Sequence, residues 1–87
     1  MNNDYVVYLL ECSDKSYYCG TTNNLTKRLY DHNHTKKGAK YTKSRRPIKL
    51  IAKTGNMNKS NALKKEKHVK SLQKNKKLSC FSIILNY

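Results

Sequence analysis

The sequence predicts one small domain of the α/β class, and three observations support this. Residues 5–12 and 17–21 are rich in β-branched and aromatic side chains, as strands are. Residues 24–34 and 58–74 carry apolar side chains at helical spacing. The chain has 87 residues, enough for one domain that buries about 60–65% of its unfolded surface, so a second domain is not expected.

The first two strands are predicted to form a hairpin, because turn residues separate them at positions 13–16. Side chains alternate between the two faces of a strand. Tyr8 and Tyr18 therefore share a face only if the numbers of paired residues add up to an even value, such as 12 with 18. We expect that register, which needs a turn with an odd number of residues or a bulge.

The first helix is predicted to start at a cap formed by Asn23 or Asn24 and to run to about His34. At about 100° per residue, Arg28 and His32 flank its inner stripe of leucines and point toward the edge of the sheet. A buried histidine satisfied by core hydrogen bonds is the simpler interpretation of His32 alone. Arg28, one turn away, favours a functional role for the pair.

The middle of the chain, residues 33–46, lacks periodicity and is rich in lysine and arginine. We expect a long basic loop there, and loops of this length are often functional. Residues 48–54 fit a third strand. A second helix should follow, capped by Asn58 or Ser60 and ending at about Lys74.

The C-terminal tail, residues 75–87, turns apolar from Leu78 onward. We expect it to cover an open edge of the core, and a contact between subunits is the alternative. No apolar run in the chain approaches the ~18 residues of a membrane-spanning helix, so no membrane association is expected.

The positive charge is large and uneven. The formal net charge is +14, and residues 32–87 hold sixteen lysines and arginines against one carboxylate side chain, that of Glu66. Such a surface favours a polyanionic partner, and nucleic acid fits better than an acidic membrane. A lysine-rich coat that serves only solubility is the alternative.

The cysteines indicate the compartment. Cys12, Cys19 and Cys80 are an odd number without a C-x-x-C pair, which indicates neither a zinc site nor a disulfide framework. We expect buried free thiols. With no apolar leader at the N-terminus, they predict a cytoplasmic protein.

Glu66 is unusual because it falls inside the apolar arc of the second predicted helix. A buried carboxylate without a partner is strongly unfavourable, so it needs a cation or strong hydrogen-bond donors. A salt bridge to Arg28 is one interpretation. The other is one divalent metal ion, Mg²⁺ or Mn²⁺, with water and a substrate phosphate completing its coordination.

These side chains suit the hydrolysis of a phosphodiester, which needs an activated water and stabilisation of charge on the phosphoryl oxygens. Arg28 would neutralise the charge that develops in the transition state. Tyr8 would take the proton of the water, directly or through His32, provided that nearby cations lower its pKa from about 10. Tyr18 would orient the water or the phosphate.

The order of these residues resembles the GIY-YIG nuclease superfamily. It consists of Val-Val-Tyr at residues 6–8, Tyr-Cys-Gly at residues 18–20, an Arg-x-x-x-His pair and a late helical glutamate. Gly-Ala-Lys-Tyr-Thr at residues 38–42 is similar to the small standalone bacterial branch of that superfamily. The resemblance covers about residues 5–74, and Val6-Val7 and Cys19 replace family residues without loss of strand character.

The resemblance implies a three-stranded antiparallel sheet flanked by helices that cuts DNA with one divalent metal ion. Residues that share the active site in the family correspond here to Tyr8, Tyr18, Arg28, His32 and Glu66. Which tyrosine is the general base stays open, with Tyr8 preferred. The late asparagine of the family has Asn75 as its candidate.

A basic DNA- or RNA-binding module that does not cleave is the alternative function. Its contacts would come from the basic loop, through cations on phosphates and one ring stacked on a base: Lys36, Lys37, Lys40, Tyr41, Lys43, Arg45 and Arg46. Glu66 favours the nuclease, because a carboxylate would only repel phosphate in a pure binder. Sequence specificity should be low or supplied by a partner protein, and branched, nicked or single-stranded DNA and RNA all remain candidate substrates.

Overall fold

The computed structural model describes residues 3–85, which form an antiparallel sheet with helices on both faces. The elements in chain order are β1 (Val6–Glu11), β2 (Tyr17–Thr22), α1 (Leu25–His34), α2 (Lys40–Lys43), β3 (Lys49–Lys53), α3 (Lys59–Ser71), α4 (Lys74–Lys77), a 3₁₀ turn (Leu78–Cys80) and β4 (Ile83–Ile84). The strand order is β2-β1-β3-β4, so β1 is central and β2 is an edge strand.

The hairpin register confirms that the two tyrosines share a face. Tyr8 pairs with Gly20 and Leu10 pairs with Tyr18, so paired numbers add up to an even value. Leu10, not Cys12, is the partner of Tyr18. The turn between the strands, residues 12–16, has an odd number of residues, as this register requires.

A fourth strand corrects the expected three-stranded sheet. Within the described residues, Ile84 pairs with Ala52 and Ile83 pairs with Lys53, so β4 covers the edge that β3 would otherwise expose. Phe81, just before β4, is buried in the core. The tail therefore covers an open edge as expected, and it does so by adding main-chain hydrogen bonds to an unpaired strand. Residues 86–87 lie outside the described part of the chain.

The central strand β1 is buried on both faces, because the helices pack on opposite sides of the sheet. The α3 side is built from Val7, Leu9, Cys19, Ala52, Ala62, Val69 and Phe81. The α1 side is built from Tyr8, Leu10, Cys12, Ile48 and Leu50, with Leu25 and Leu29 of α1 packed against them. The sheet edge at β2 is therefore the place where side chains from both layers can meet.

The observed helix caps agree with the predicted ones, whereas the end of α3 and the basic loop differ from the prediction. The side chain of Asn24 accepts a hydrogen bond from the Lys27 amide, and Asn58 caps α3 in the same way. Helix α3 ends at Ser71, three residues before the predicted end. The predicted basic loop contains the single helical turn α2, which is too short to produce a periodic pattern.

The three cysteines are free thiols, with Cys12 and Cys19 buried and Cys80 only partly so. Burial raises the pKa of the Cys19 thiol to about 12. Among residues 3–85, no helix has the length and apolar character needed to cross a bilayer.

Candidate active site

Tyr8, His32 and Thr42 form a buried chain of hydrogen bonds on the α1 side of the sheet. The Tyr8 hydroxyl lies 2.8 Å from Nε2 of His32, and Nδ1 of the same ring lies 2.9 Å from Oγ1 of Thr42. The Thr42 hydroxyl donates its only hydrogen to the carbonyl of Ala39, at 2.9 Å. Oγ1 is then free to accept from Nδ1–H at 2.9 Å, a much shorter contact than the 3.5 Å between the Ala39 amide and Nδ1, so the network favours the proton on Nδ1 and leaves Nε2 to accept from Tyr8.

Burial controls the pKa values of Tyr8 and His32 in this chain of hydrogen bonds. It lowers the pKa of His32 to about 4, and the positive charge of Arg28 acts in the same direction. It also raises the pKa of Tyr8 to about 12, although a hydrogen bond and the charge of Arg28 oppose the rise. The expectation that nearby cations lower the pKa of Tyr8 is therefore wrong for this structure, because desolvation outweighs them. At neutral pH, Tyr8 is a neutral donor to a neutral imidazole.

Gly20 is required because the ring of Tyr8 lies across it. A Cβ atom at position 20 would stand 2.3 Å from the Tyr8 hydroxyl oxygen. The two residues are directly paired across β1 and β2, so a larger side chain on β2 would displace the phenol. The group that approaches this glycine most closely is thus Tyr8.

Thr42 is a residue that sequence reasoning missed. Its side chain is fully buried. The loop that carries it packs closely on α1 at Gly38, where a Cβ atom would lie 2.7 Å from the carbonyl oxygen of Asp31 and 3.0 Å from Cα of His32. The signal was present in the stretch at residues 38–42, which supplies both the glycine and the threonine. That stretch therefore holds the His32 ring.

Tyr18 continues the site toward the surface. Its ring centroid lies 5.3 Å from that of His32 and 6.0 Å from that of Tyr41, which is stacked on it. The guanidinium of Arg45 lies 3.9 Å above the centroid of Tyr41. Tyr41 and Arg45, two of the residues predicted to contact nucleic acid, thus stack in sequence on Tyr18, a predicted catalytic residue.

Glu66 approaches from α3 and pairs with Lys70. Its Oε2 lies 3.0 Å from Nζ of Lys70, with 22% of the glutamate side chain and 48% of the lysine side chain exposed. Lys70 also lies 5.4 Å from the ring centroid of Tyr18. Partial burial lowers the pKa of Lys70, but the hydrogen bond and charge of Glu66 more than offset it, so the net shift is upward.

That ion pair corrects one interpretation of the sequence. The salt bridge described for Glu66 joins it to Lys70 and not to Arg28. Sequence reasoning missed Lys70, although its position four residues after Glu66 on a helix was a usable signal. Glu66 still contributes to the raised pKa of Tyr8, which places its charge near the phenol.

Arg28 links the site to the basic loop. Its Nη1 donates to the carbonyl of Lys37 at 2.8 Å, and the same side chain lies close enough to Tyr8 to affect the pKa of the phenol. The five predicted site residues are therefore brought together near the sheet edge at β2. The α1 side of the sheet supplies Tyr8, Arg28 and His32. Strand β2 supplies Tyr18, and α3 supplies Glu66.

Comparison with known proteins identifies the family. A family model described as the GIY-YIG catalytic domain matches residues 4–79. The chain belongs to the GIY-YIG family. The structure of this GIY-YIG domain is similar to the solution NMR structure of the UPF0213 protein BH0048 from Bacillus halodurans, with a TM-score of 0.52 and 41% identity over 84% of this chain and 77% of that one.

Two curated relatives carry the same UPF0213 name as the protein of that NMR structure. A UPF0213 protein of Syntrophus aciditrophicus (strain SB) is 50% identical over 78 residues, which cover 90% of this chain and 88% of the relative. The UPF0213 protein YazA of Bacillus subtilis (strain 168) is 44% identical over 75 residues, 86% of this chain and 75% of the relative. This GIY-YIG domain is therefore a small member of a nuclease-type family.

The donor set of the GIY-YIG domain fits a divalent ion held mainly by substrate and water. Within residues 3–85, no group of three or more His, Cys, Asp or Glu side chains could form a cage for a metal. Glu66 supplies one carboxylate at the site. Mg²⁺ is commonly bound through one or two carboxylates, substrate phosphates and several waters, so this single ligand is compatible with it.

The basic side chains proposed for nucleic-acid binding divide into two groups. Four are exposed lysines around α2: Lys36, Lys37, Lys40 and Lys43. The two arginines are engaged within the domain. Arg45 pairs with Asp14 at 3.0 Å, whereas Arg46 donates to carbonyls at the end of α1, including that of His32 at 2.7 Å. Asn75, on α4, is exposed.

Proposed function

We propose that this GIY-YIG protein is a metal-dependent endonuclease that hydrolyses DNA phosphodiester bonds with low intrinsic sequence specificity. One observation carries the proposal. Tyr8 begins a chain of hydrogen bonds that runs through His32 to Thr42, and its hydroxyl lies beside Arg28 and near Glu66. A proton acceptor, a cation for phosphate and a carboxylate for a metal thus lie together. Membership of a nuclease-type family supports the same assignment.

In this mechanism Tyr8 and His32 move a proton away from the attacking water. The Tyr8 oxygen accepts the proton of the water while its own proton passes to Nε2 of His32, and the bond from Nδ1 to Thr42 keeps the ring oriented. With pKa values of about 12 for Tyr8 and about 4 for His32, the transfer needs a water that is already acidified. A divalent ion on Glu66 supplies that acidification and neutralises phosphate charge when bound.

Arg28 and Tyr18 position the phosphate. One N–H of the Arg28 guanidinium is fixed on the carbonyl of Lys37, which orients the remaining donors toward the site. These donors stabilise the charge that develops on the phosphoryl oxygens. The Tyr18 hydroxyl, on a ring held between His32 and Tyr41, orients the water or the phosphate.

Lys70 acts as a replaceable counter-ion of Glu66. Exposed pairs of this i,i+4 type contribute only about 0.3–0.5 kcal/mol. Glu66 would therefore exchange this ammonium group for a divalent ion at little cost. The Lys70 side chain would then face the substrate beside the ring of Tyr18.

Substrate binding relies on the exposed lysines around α2, with Tyr41 and Arg45 beside them as a stacked pair. We leave Arg46 out of this set, because its donors already hold the end of α1. The partner is DNA that is branched, nicked or single-stranded, with RNA as a second candidate and a partner protein as a source of specificity. The free buried thiols support a reducing, cytoplasmic location.

The test is cleavage of labelled branched, single-stranded and duplex DNA in the presence of Mg²⁺, Mn²⁺ or EDTA. We expect cutting with either metal and none in EDTA. Binding should depend steeply on salt, with a slope of about −0.9 per phosphate engaged and roughly four to six phosphates engaged. Replacing Lys40 and Lys43 together should reduce that slope by about two.

Two outcomes would contradict the proposal. Steep salt dependence without cleavage under any metal condition would identify a non-catalytic binding module. Affinity that stays flat between low and physiological salt would exclude nucleic acid as the partner.

A further inference from the structure

A polar cleft of about 250 Å³ opens beside α1, on the flank away from the leucine stripe. Its walls are the end of β2, the exposed side of α1 and the loop that follows α1. The residues that matter for its chemistry are Thr22, Asn23, Lys27, Arg28, Asp31 and Lys37. These residues carry no aromatic ring and no large apolar group.

The charge of the cleft favours an anion. Three cationic side chains, those of Lys27, Arg28 and Lys37, face one carboxylate, that of Asp31. The Asp31 carboxylate already accepts from Nζ of Lys27 at 3.2 Å and from Oγ1 of Thr35 at 3.1 Å. Burial would raise the pKa of Asp31, but these two hydrogen bonds outweigh it and the net shift is downward. The carboxylate is thus compensated, and two positive charges are left over.

Arg28 connects the cleft to the proposed catalytic site. Its side chain lines the cleft and also lies beside the Tyr8 hydroxyl. An anion in the cleft and a phosphate beside Tyr8 would therefore contact the same guanidinium. Two phosphates that share one arginine are most simply neighbours on one strand.

We propose that this cleft is a second phosphate subsite, which holds the phosphodiester next to the scissile one together with its sugar. The inference rests on the proposed nuclease function. Bases are held by stacking on aromatic side chains, which the cleft lacks, so it binds backbone. Contacts to phosphate and sugar position a strand without reading its sequence. The cleft thus determines which bond of the strand lies beside Tyr8.

The experiment uses Lys37→Ala, because this side chain is exposed and its residue is tied to the fold through the main chain. The carbonyl of Lys37 accepts from Arg28 and its amide donates to Thr35, and both bonds survive the substitution. Lys36→Ala is the matched control, since it removes the same charge from the next residue, which does not line the cleft. Each protein is assayed on oligonucleotides with one neutral methylphosphonate at successive positions around the mapped cut.

For the wild type, the neutral group at one position next to the cut should raise KM about tenfold, the loss expected for one charge-assisted contact, with kcat nearly unchanged. In Lys37→Ala the penalty at that position should be clearly smaller, because one of the three cations of the cleft is gone, whereas Lys36→Ala should keep the full tenfold penalty. Equal positional penalties in both variants would overturn the proposal.

Failure of the nuclease function is recognised separately, because the wild type would then cut none of the substrates. Fluorescence anisotropy with the same short oligonucleotides then measures whether the cleft binds a phosphate. A positional loss of affinity that becomes smaller only in Lys37→Ala supports the subsite, and a loss that is uniform across positions and variants rejects it.

Discussion

The two sides of the candidate site are built in opposite ways. On the α1 side, Tyr8, His32 and Thr42 are fully buried and each polar atom has a partner. On the α3 side, Glu66 and Lys70 are partly exposed and form an ion pair with each other. The comparison indicates that the group proposed to move protons is held rigidly by the core. The group proposed to bind a cation stays open to solvent.

The physical reason lies in the cost of burial. Buried polar groups must be hydrogen-bonded, so the α1 side can exist only as a complete network. An exposed ion pair contributes a few tenths of a kcal/mol and can be exchanged for a metal or a phosphate. Substitutions on the α1 side should therefore affect folding and chemistry together, whereas those on the α3 side should affect chemistry alone.

Glu66→Gln should have the largest effect. We expect cleavage to fall at least ~10³-fold, about 4 kcal/mol in activation free energy, because the metal loses its protein carboxylate. DNA affinity should be unchanged or slightly higher, and the melting temperature should stay close to that of the wild type. Glu11→Gln, the same change at the last residue of β1, is the matched control. Wild-type cutting by Glu66→Gln would show that the carboxylate is structural.

The pH dependence of stability tests the α1 side. The pKa of His32 falls from 6.5 to about 4 on folding, so between these values the unfolded chain binds a proton that the folded protein does not. The His32 contribution should therefore lower stability as the pH falls from about 6.5 to about 4 and change no further below that, a total of roughly 3 kcal/mol. Calorimetry of the wild type measures this, and His32→Gln should flatten the curve while His34→Gln should not. An NMR titration showing His32 protonated at pH 6 would contradict the buried neutral ring.

Arg28→Ala should lower kcat by ~10²-fold, about 2.7 kcal/mol, because its donors act mainly in the transition state. KM should rise only modestly, because Lys27 and Lys37 share the contact with the neighbouring phosphate. Arg28→Lys should recover only part of this, because an ammonium group cannot reproduce the two-pronged contact with phosphate. Melting curves are the control, since Arg28 also holds the loop through Lys37. Activity that merely follows the fraction of folded protein would assign Arg28 to structure.

Thr42→Val should have the smallest effect, about tenfold in kcat, because it removes one hydrogen bond of roughly 1 kcal/mol from the His32 ring. The specific signature is the imidazole ¹⁵N spectrum, in which the wild type should show the proton on Nδ1 and the variant should lose that preference. Thr42→Ser should restore both the spectrum and the rate. A normal tautomer together with a normal rate in Thr42→Val would show that Thr42 does not orient the ring.

Several features were predictable because their causes are local in the chain. The cap at Asn24, the shared face of Tyr8 and Tyr18 and the spacing of Arg28 and His32 follow from helical and strand periodicity. Glu66 could be singled out because no other carboxylate side chain occurs in the basic C-terminal part of the chain. The short helix α2 and strand β4 escaped prediction, since four and two residues are too few to show a period.

The sequence by itself determined the five longest elements, the order of the site residues and the positive charge, because each depends on neighbouring residues or on composition. Only the tertiary structure decided that Thr42 orients His32, that Lys70 neutralises Glu66 and that Arg46 holds the end of α1. It also decided that the pKa of Tyr8 rises and does not fall. The physical reason is that burial and contacts between distant residues exist only once the layers have packed, and in this molecule desolvation outweighs the nearby positive charge.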